Sequence, residues 1–160
     1  MRLTLIGVGK LKAGPERELF QRYFKRLGDL ARGNGVSPVE LRELDESRAR
    51  RAPDRQAEEA QAIRAALPKG ARTILLDERG AALSSAQWAM DLGKARDAGT
   101  PAYAVALGGP DGLAADLRAQ GQLIVSFGAM TWPHQLARVM ACEQLYRALA
   151  ILAGLPYHRE

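Results

Sequence analysis

Tyr103-Ala104-Val105-Ala106-Leu107-Gly108-Gly109-Pro110-Asp111-Gly112 is the stretch on which the fold turns. Five apolar residues run straight into a glycine turn. That length and that abrupt end read as a strand buried on both faces, the kind found inside parallel sheets. A second apolar run, Leu123-Ile124-Val125-Ser126-Phe127, ends at Gly128, and a long, mostly apolar helical segment follows. Outward from this pair the chain alternates. Residues 2–8 form a strand ending at Gly9. Residues 15–31 place Leu19, Phe20, Tyr23, Phe24, Leu27 and Leu30 at helical spacing and stop at Gly33-Asn34-Gly35. Residues 38–44 read as a strand, and 53–67 as a helix ended by Pro68 and Gly70. Residues 73–76 read as a buried strand with Asp77-Glu78-Arg79-Gly80 as its turn. Ser84 with Gln87 forms a capping box for a helix reaching about residue 98. Strand 102–107, a short helix 112–120, strand 122–127 and a helix from Pro133 to about residue 153 complete the series. Strand–helix alternation predicts an α/β fold, a parallel sheet with helices on both faces in one domain over residues 1–160. Residues 45–52 alone read as a flexible insertion.

Composition narrows the function. No apolar run is long enough to span a membrane, and no signal-peptide pattern opens the chain. One cysteine excludes an internal disulfide or a cysteine-rich zinc site, and two histidines are too few for a histidine-rich one. The expectation is a cytoplasmic protein that uses no metal. The net charge of +5 points to an anionic partner. Residues 1–66 hold 14 basic and 10 acidic side chains, against 9 and 8 in residues 67–160. Arg22, Lys25 and Arg26 share a helical face, and Arg48, Arg50 and Arg51 sit in the 45–52 segment. Either cluster alone is an ordinary solvated surface; the two together suggest phosphate contacts with nucleic acid.

The glycine turn 108–112 lacks the dinucleotide and Walker A spacings. By itself it could be a tight connection. The second loop, Phe127-Gly128-Ala129-Met130-Thr131-Trp132, adds the functional reading. Ligands of open α/β sheets lie beyond the carboxyl ends of the strands. Backbone at Gly128 and Ala129 can read a flat heterocycle, and Phe127, Met130 and Trp132 can wall it. The last helix is apolar nearly all round, with Leu136, Val139 and Met140 on one side and Ala141, Leu145, Leu149 and Leu152 on the other. One sheet face cannot cover both, so a second copy of the helix is the expected cover. Glu143 and Arg147, four apart, are expected to pair. Cys142, Trp88 and Tyr146 read as packing residues and His134 as a capping or packing residue. The ending Pro-Tyr-His-Arg-Glu gathers Tyr157, His158 and Arg159. It is either a solvated tail or a site element.

Leu-Gly-Gly-Pro-Asp-Gly-Leu at 107–113, Pro-His-x-Leu-x-Arg-Val at 133–139, Glu-Gln-Leu-Tyr-Arg-Ala at 143–148, the opening Leu-Thr-Leu-Ile-Gly-Val-Gly-Lys and the ending resemble the RlmH family. These are bacterial 23S rRNA pseudouridine N3-methyltransferases of the SPOUT class, and the resemblance covers the whole chain. It implies a C-terminal trefoil knot, a homodimer and an S-adenosylmethionine site. Matched residue by residue, the cofactor would meet Leu76, Gly108, Phe127, Gly128, Ala129, Met130, Thr131 and Trp132. The substrate would be a pseudouridine in helix 69 of 23S rRNA within the 70S ribosome. Tyr157, His158 and Arg159 would approach the site, from the partner subunit, with Arg147 as a second cation. A tRNA-directed relative and a ribosome-binding factor without chemistry share this logic. Phe127, Gly128 and Trp132 depart from the aliphatic and serine residues expected in that loop, and the 45–52 segment is richer in arginine.

Overall fold

Five runs of apolar or β-branched residues assemble into one sheet: β1 (Arg2–Val8), β2 (Val39–Leu44), β3 (Arg72–Ala82), β4 (Ala102–Leu107) and β5 (Leu123–Ser126). The computed structural model describes residues 1–158; Arg159, one of the expected site residues, lies outside them. The strand order is β2-β1-β4-β3-β5, and every pairing is parallel. The helices are α1 (Pro15–Arg32), α2 (Ala52–Ala66), α3 (Ser85–Asp97), the single turn α4 (Ala115–Arg118) and α5 (His134–Leu152).

Alternation along the strands divides the core between the two sheet faces. Leu3, Leu5, Ile74 and Val105 pack with Phe20 and Leu27 of α1, Trp88 and Leu92 of α3, and Leu145 and Leu149 of α5. Ile6, Val8, Leu75 and Ala106 pack on the other face with Ala60 and Ile63 of α2 and with Leu113 and Leu117. A buried polar chain ties α3 to the sheet. Trp88 donates to the Tyr103 hydroxyl at 3.1 Å, which donates to Asp91 at 2.8 Å, and Asp91 also accepts from Arg72. Burial raises the Tyr103 pKa, so the phenol keeps its proton.

Four expectations change. First, β3 does not stop at Leu76. It leaves the ladder and rejoins, so that both Leu76 and Ala81 pair with Val125, and Ala82 pairs with Ser126. Gly80 permits the return: a Cβ there would stand 2.6–2.7 Å from the backbone of Ile124 and Val125. Second, residues 45–51 are tied down. The Ser47 N–H donates to Glu59 at 3.1 Å, its hydroxyl donates to Glu58, and Arg55 donates to the carbonyls of Ala49 and Arg50 at 3.1 and 3.0 Å. Third, α5 finds most of its cover in its own chain, between α1 and α3. Ala141, Cys142, Leu145, Ala148, Leu149 and Ala150 are buried. A stripe of Leu136, Met140, Glu143, Gln144 and Arg147 stays half-covered. Fourth, the helix expected at 112–120 shrinks to four residues, because Gly112 takes φ +77° and Ala114 is still extended.

Candidate active site at the strand ends

Where β3 leaves the ladder after Leu76, beside the end of β4 at Leu107 and the last pairs of β5, the residues Leu76, Leu107 and Val125 are apolar. They floor a hollow of about 430 Å³ between the 108–113 turn and the 126–134 loop. Gly108 is tightly enclosed, since a Cβ there would lie 3.0 Å from the Gly112 backbone and from Leu113 and would push the turn apart by a few tenths of an ångström. The turn is bolted from behind. Arg55 forks onto the Asp111 carboxylate at 2.6 and 2.9 Å, and Gln56 donates to the Asp111 carbonyl at 2.6 Å. That fork holds the Asp111 carboxyl below its ordinary pKa. Beneath Gly109 lies Glu59, 4% exposed, its Oε2 without a partner. Burial pushes its carboxyl pKa up.

The opposite wall hangs on Phe127, whose ring lies 6.2 Å from that of Trp88. The Ser126 hydroxyl pins Gly128, accepting from its N–H at 3.1 Å and donating to its carbonyl at 3.0 Å. Gly128 takes φ +102°, a conformation that strains any other residue. Trp132 donates to the Phe127 carbonyl at 3.4 Å. Of the residues expected to hold a cofactor, Leu76, Gly108, Phe127, Gly128, Met130, Thr131 and Trp132 all line the hollow. Ala129 does not; it is exposed beside the hollow. His134, read from sequence as a cap or packing residue, and Ala137 close the hollow from the first turn of α5. Asp77 lies in the wall with a side chain only 5% exposed, 3.5 Å from Arg118.

Sequence reasoning missed Arg138. Its guanidinium is 2% exposed, donates to the Val8 and Gly9 carbonyls at 2.8 Å each, and pairs with Glu43 at 2.8 Å. It fastens the start of α5 to the ends of β1 and β2. The signal was Gly7 inside a strand: a Cβ there would meet the guanidinium at 2.6 Å.

The tail forms a second cluster. Arg147 donates from Nε and Nη2 to Glu143 at 3.0 and 2.6 Å, confirming that pair. The Tyr157 hydroxyl donates to the same carboxylate oxygen at 3.0 Å. The Arg147 guanidinium lies 4.7 Å from the Tyr157 ring centroid and 3.5 Å from Nδ1 of His158. The Glu143 hydrogen bond raises the Arg147 pKa, and burial raises that of Tyr157. Tyr146 meets Tyr157 edge-on at 4.8 Å. Three expected catalytic residues are thus brought together, but not at the hollow. Ala137 and Arg147 are ten residues apart on α5, about 15 Å at the helical rise. Among the described residues, no helix is long and apolar enough to cross a membrane, and no three His, Cys, Asp or Glu side chains could hold a metal ion together.

The family model "Predicted SPOUT methyltransferase" matches residues 1–158. A ribosomal RNA large subunit methyltransferase H from Methylocella silvestris is 56% identical over 160 residues, all of both chains. Its counterpart from Rhodopseudomonas palustris strain HaA2 is 54% identical over 159 residues, 99% of each chain. The crystal structure of a probable methyltransferase from Bordetella pertussis Tohama I aligns with a TM-score of 0.52 over 92% of this chain and 95% of that one. At 14% identity this is a likeness of fold.

Proposed function

This chain belongs to the SPOUT methyltransferases, and among them to the ribosomal RNA large subunit methyltransferase H family (RlmH); from that premise we propose that it methylates N3 of a pseudouridine in helix 69 of 23S rRNA, on the assembled ribosome in the cytoplasm. The methyl donor is S-adenosylmethionine, which supplies an electrophilic methyl group on a sulfonium. The observation that carries the reading is the hollow. Its volume of about 430 Å³ falls in the range of small-molecule sites. Leu76, Leu107 and Val125 offer an apolar floor, and the turns at Gly108 and Gly128 let backbone approach a flat ring. The residues present therefore fit the donor.

The acceptor nitrogen carries a proton and must lose it to become nucleophilic. His158, an imidazole with a ring nitrogen free to take a proton, accepts it and passes it to solvent. Arg147 or Arg159 stabilises the negative charge that develops on the base. Tyr157 orients the base, and positioning of this kind contributes about 7–11 kcal/mol in favourable intramolecular cases. The tail lies about 15 Å along α5 from its own hollow, so it serves the hollow of a second protomer in a homodimer. The half-covered stripe of α5 with Leu19 and Leu83, which share a second apolar hollow, offers the contact surface. The threaded C-terminal segment belongs to the same reading. The double pairing of β3 with β5 and the close approach at Gly80 support it.

The test is single-turnover methylation of ribosomes beside calorimetry with S-adenosylmethionine. His158→Ala is expected to slow methyl transfer by about 10²-fold or more, with donor affinity held within about twofold. An unchanged rate removes His158 from the mechanism.

A further inference from the structure

Two basic clusters stand out in the sequence, and the structure treats them differently. On α1, Lys25 is paired with Asp29 at 2.7 Å and the Arg26 guanidinium lies 5.6 Å from the Tyr146 ring centroid, which leaves Arg22. In residues 45–51, Arg48 and Arg50 are exposed, and among the described residues neither meets a carboxylate. Their backbone is nevertheless fixed. One guanidinium, that of Arg55, donates to the carbonyls of Ala49 and Arg50 and forks onto Asp111 of the turn that walls the hollow. Ser47 adds bonds to Glu58 and Glu59 on α2.

We propose that residues 45–51 are a docking rim for the RNA sugar–phosphate backbone, held in register with the donor hollow by Arg55. This rests on the function proposed above and specifies where the acceptor RNA is gripped. Arginine suits phosphate because its planar fork matches two oxygens at once. An exposed cationic loop with a fixed backbone requires little further ordering on binding. Arg55 joins the rim to the turn that walls the hollow, and Glu59 lies between Ser47 and Gly109 beneath it, so nucleotides flanking the target base reach Arg48 and Arg50 while the base lies over the strand ends. Arg55 is a positioning residue for both.

Ribosome binding measured by filter retention across a salt series tests the rim. The variants are Arg48→Gln/Arg50→Gln, Arg22→Gln/Lys25→Gln and Arg55→Lys, each with donor calorimetry beside it. Each lost phosphate contact lowers the salt slope by about 0.7–0.9. The rim variant is expected to lose about one to two units of slope and about tenfold or more in affinity, with donor affinity within about twofold. The α1 variant is expected to lose less than about threefold. Arg55→Lys keeps the charge but loses the fork, and weakens both ribosome and donor binding. An unchanged slope in the rim variant, or a larger loss in the α1 variant, overturns the proposal. Normal binding of both partners by Arg55→Lys overturns the tether. A photoreactive side chain at position 48 that crosslinks to ribosomal protein rather than rRNA assigns the rim to an acidic protein face and overturns it too. Wild-type protein that binds ribosomes with the full slope but no donor sinks the methyltransfer reading and leaves the rim standing.

Discussion

Arg138 holds a positive charge at 2% exposure, and its surroundings explain how. Burial lowers its pKa, while Glu43 beside it raises it. Two backbone carbonyls take the remaining donors except Nε, which has no partner. Removing the side chain strands two buried carbonyls and loosens Glu43. Arg138→Met is therefore expected to cost about 2–4 kcal/mol, read from urea midpoints. A cost below about 1 kcal/mol would show that water replaces the guanidinium. A charged residue within a helix reads as surface in one dimension, which hid this position. Only the glycine on a facing strand marks the space it fills. Glu59 was hidden likewise, and its consequence is a pH dependence. Its raised pKa means that, between the ordinary glutamate value and the raised one, the folded chain keeps a proton the unfolded chain has lost. Stability from this group thus falls as pH rises through that window. Glu59→Gln should flatten the profile from the ordinary glutamate range upward and be at least as stable as wild type once pH is above that window. Retention of the wild-type slope would assign the proton to another group.

At the scale of elements, local chemistry was legible wherever the cause was local. The capping box of α3 forms in both directions, with Ser84 accepting from Gln87 N–H at 3.2 Å and Gln87 accepting from Ser84 N–H at 2.7 Å. Ser84→Ala is expected to cost about 1 kcal/mol in thermal or urea unfolding; no loss would mean that solvent caps the helix equally well. The strand β4 matches its expected span of 102–107, because its whole length is buried and its apolar run is unbroken. The far half of β3 was not legible. Asp77-Glu78-Arg79-Gly80 has turn composition, and only the later strand β5 gives Ala81 and Ala82 a ladder to rejoin. The cover of α5 failed to show for the same reason. Apolar residues all round a helix say that it is surrounded, and α1 and α3 of the same chain supply most of what surrounds it.

For the whole molecule, the strand-end loops and the Tyr-His-Arg ending were both visible in the sequence, but the span between them was not. Periodicity fixes which residues share a helix face, and only the folded chain shows that the tail bends back onto Glu143 and Arg147. If each hollow is served by the other protomer's tail, two crippled copies should repair one another. A variant with Gly108→Val, whose side chain crowds the turn, mixed and refolded with His158→Ala should regain methylation that neither homodimer has. One site in each mixed pair has both intact parts. No recovery in confirmed heterodimers would place tail and hollow in the same protomer.

Cys142, the only cysteine, is fully buried on α5, and burial pushes its thiol up to about 12. At pH 8 the native form therefore exposes on the order of one thiolate in 10⁴ even before access is considered. A thiol reagent added to the native protein will be consumed at the pace at which α5 lifts from its neighbours. The chain thus carries its own stopwatch for that excursion, one that needs no introduced label and that slows if a bound donor or a second subunit holds the helix shut.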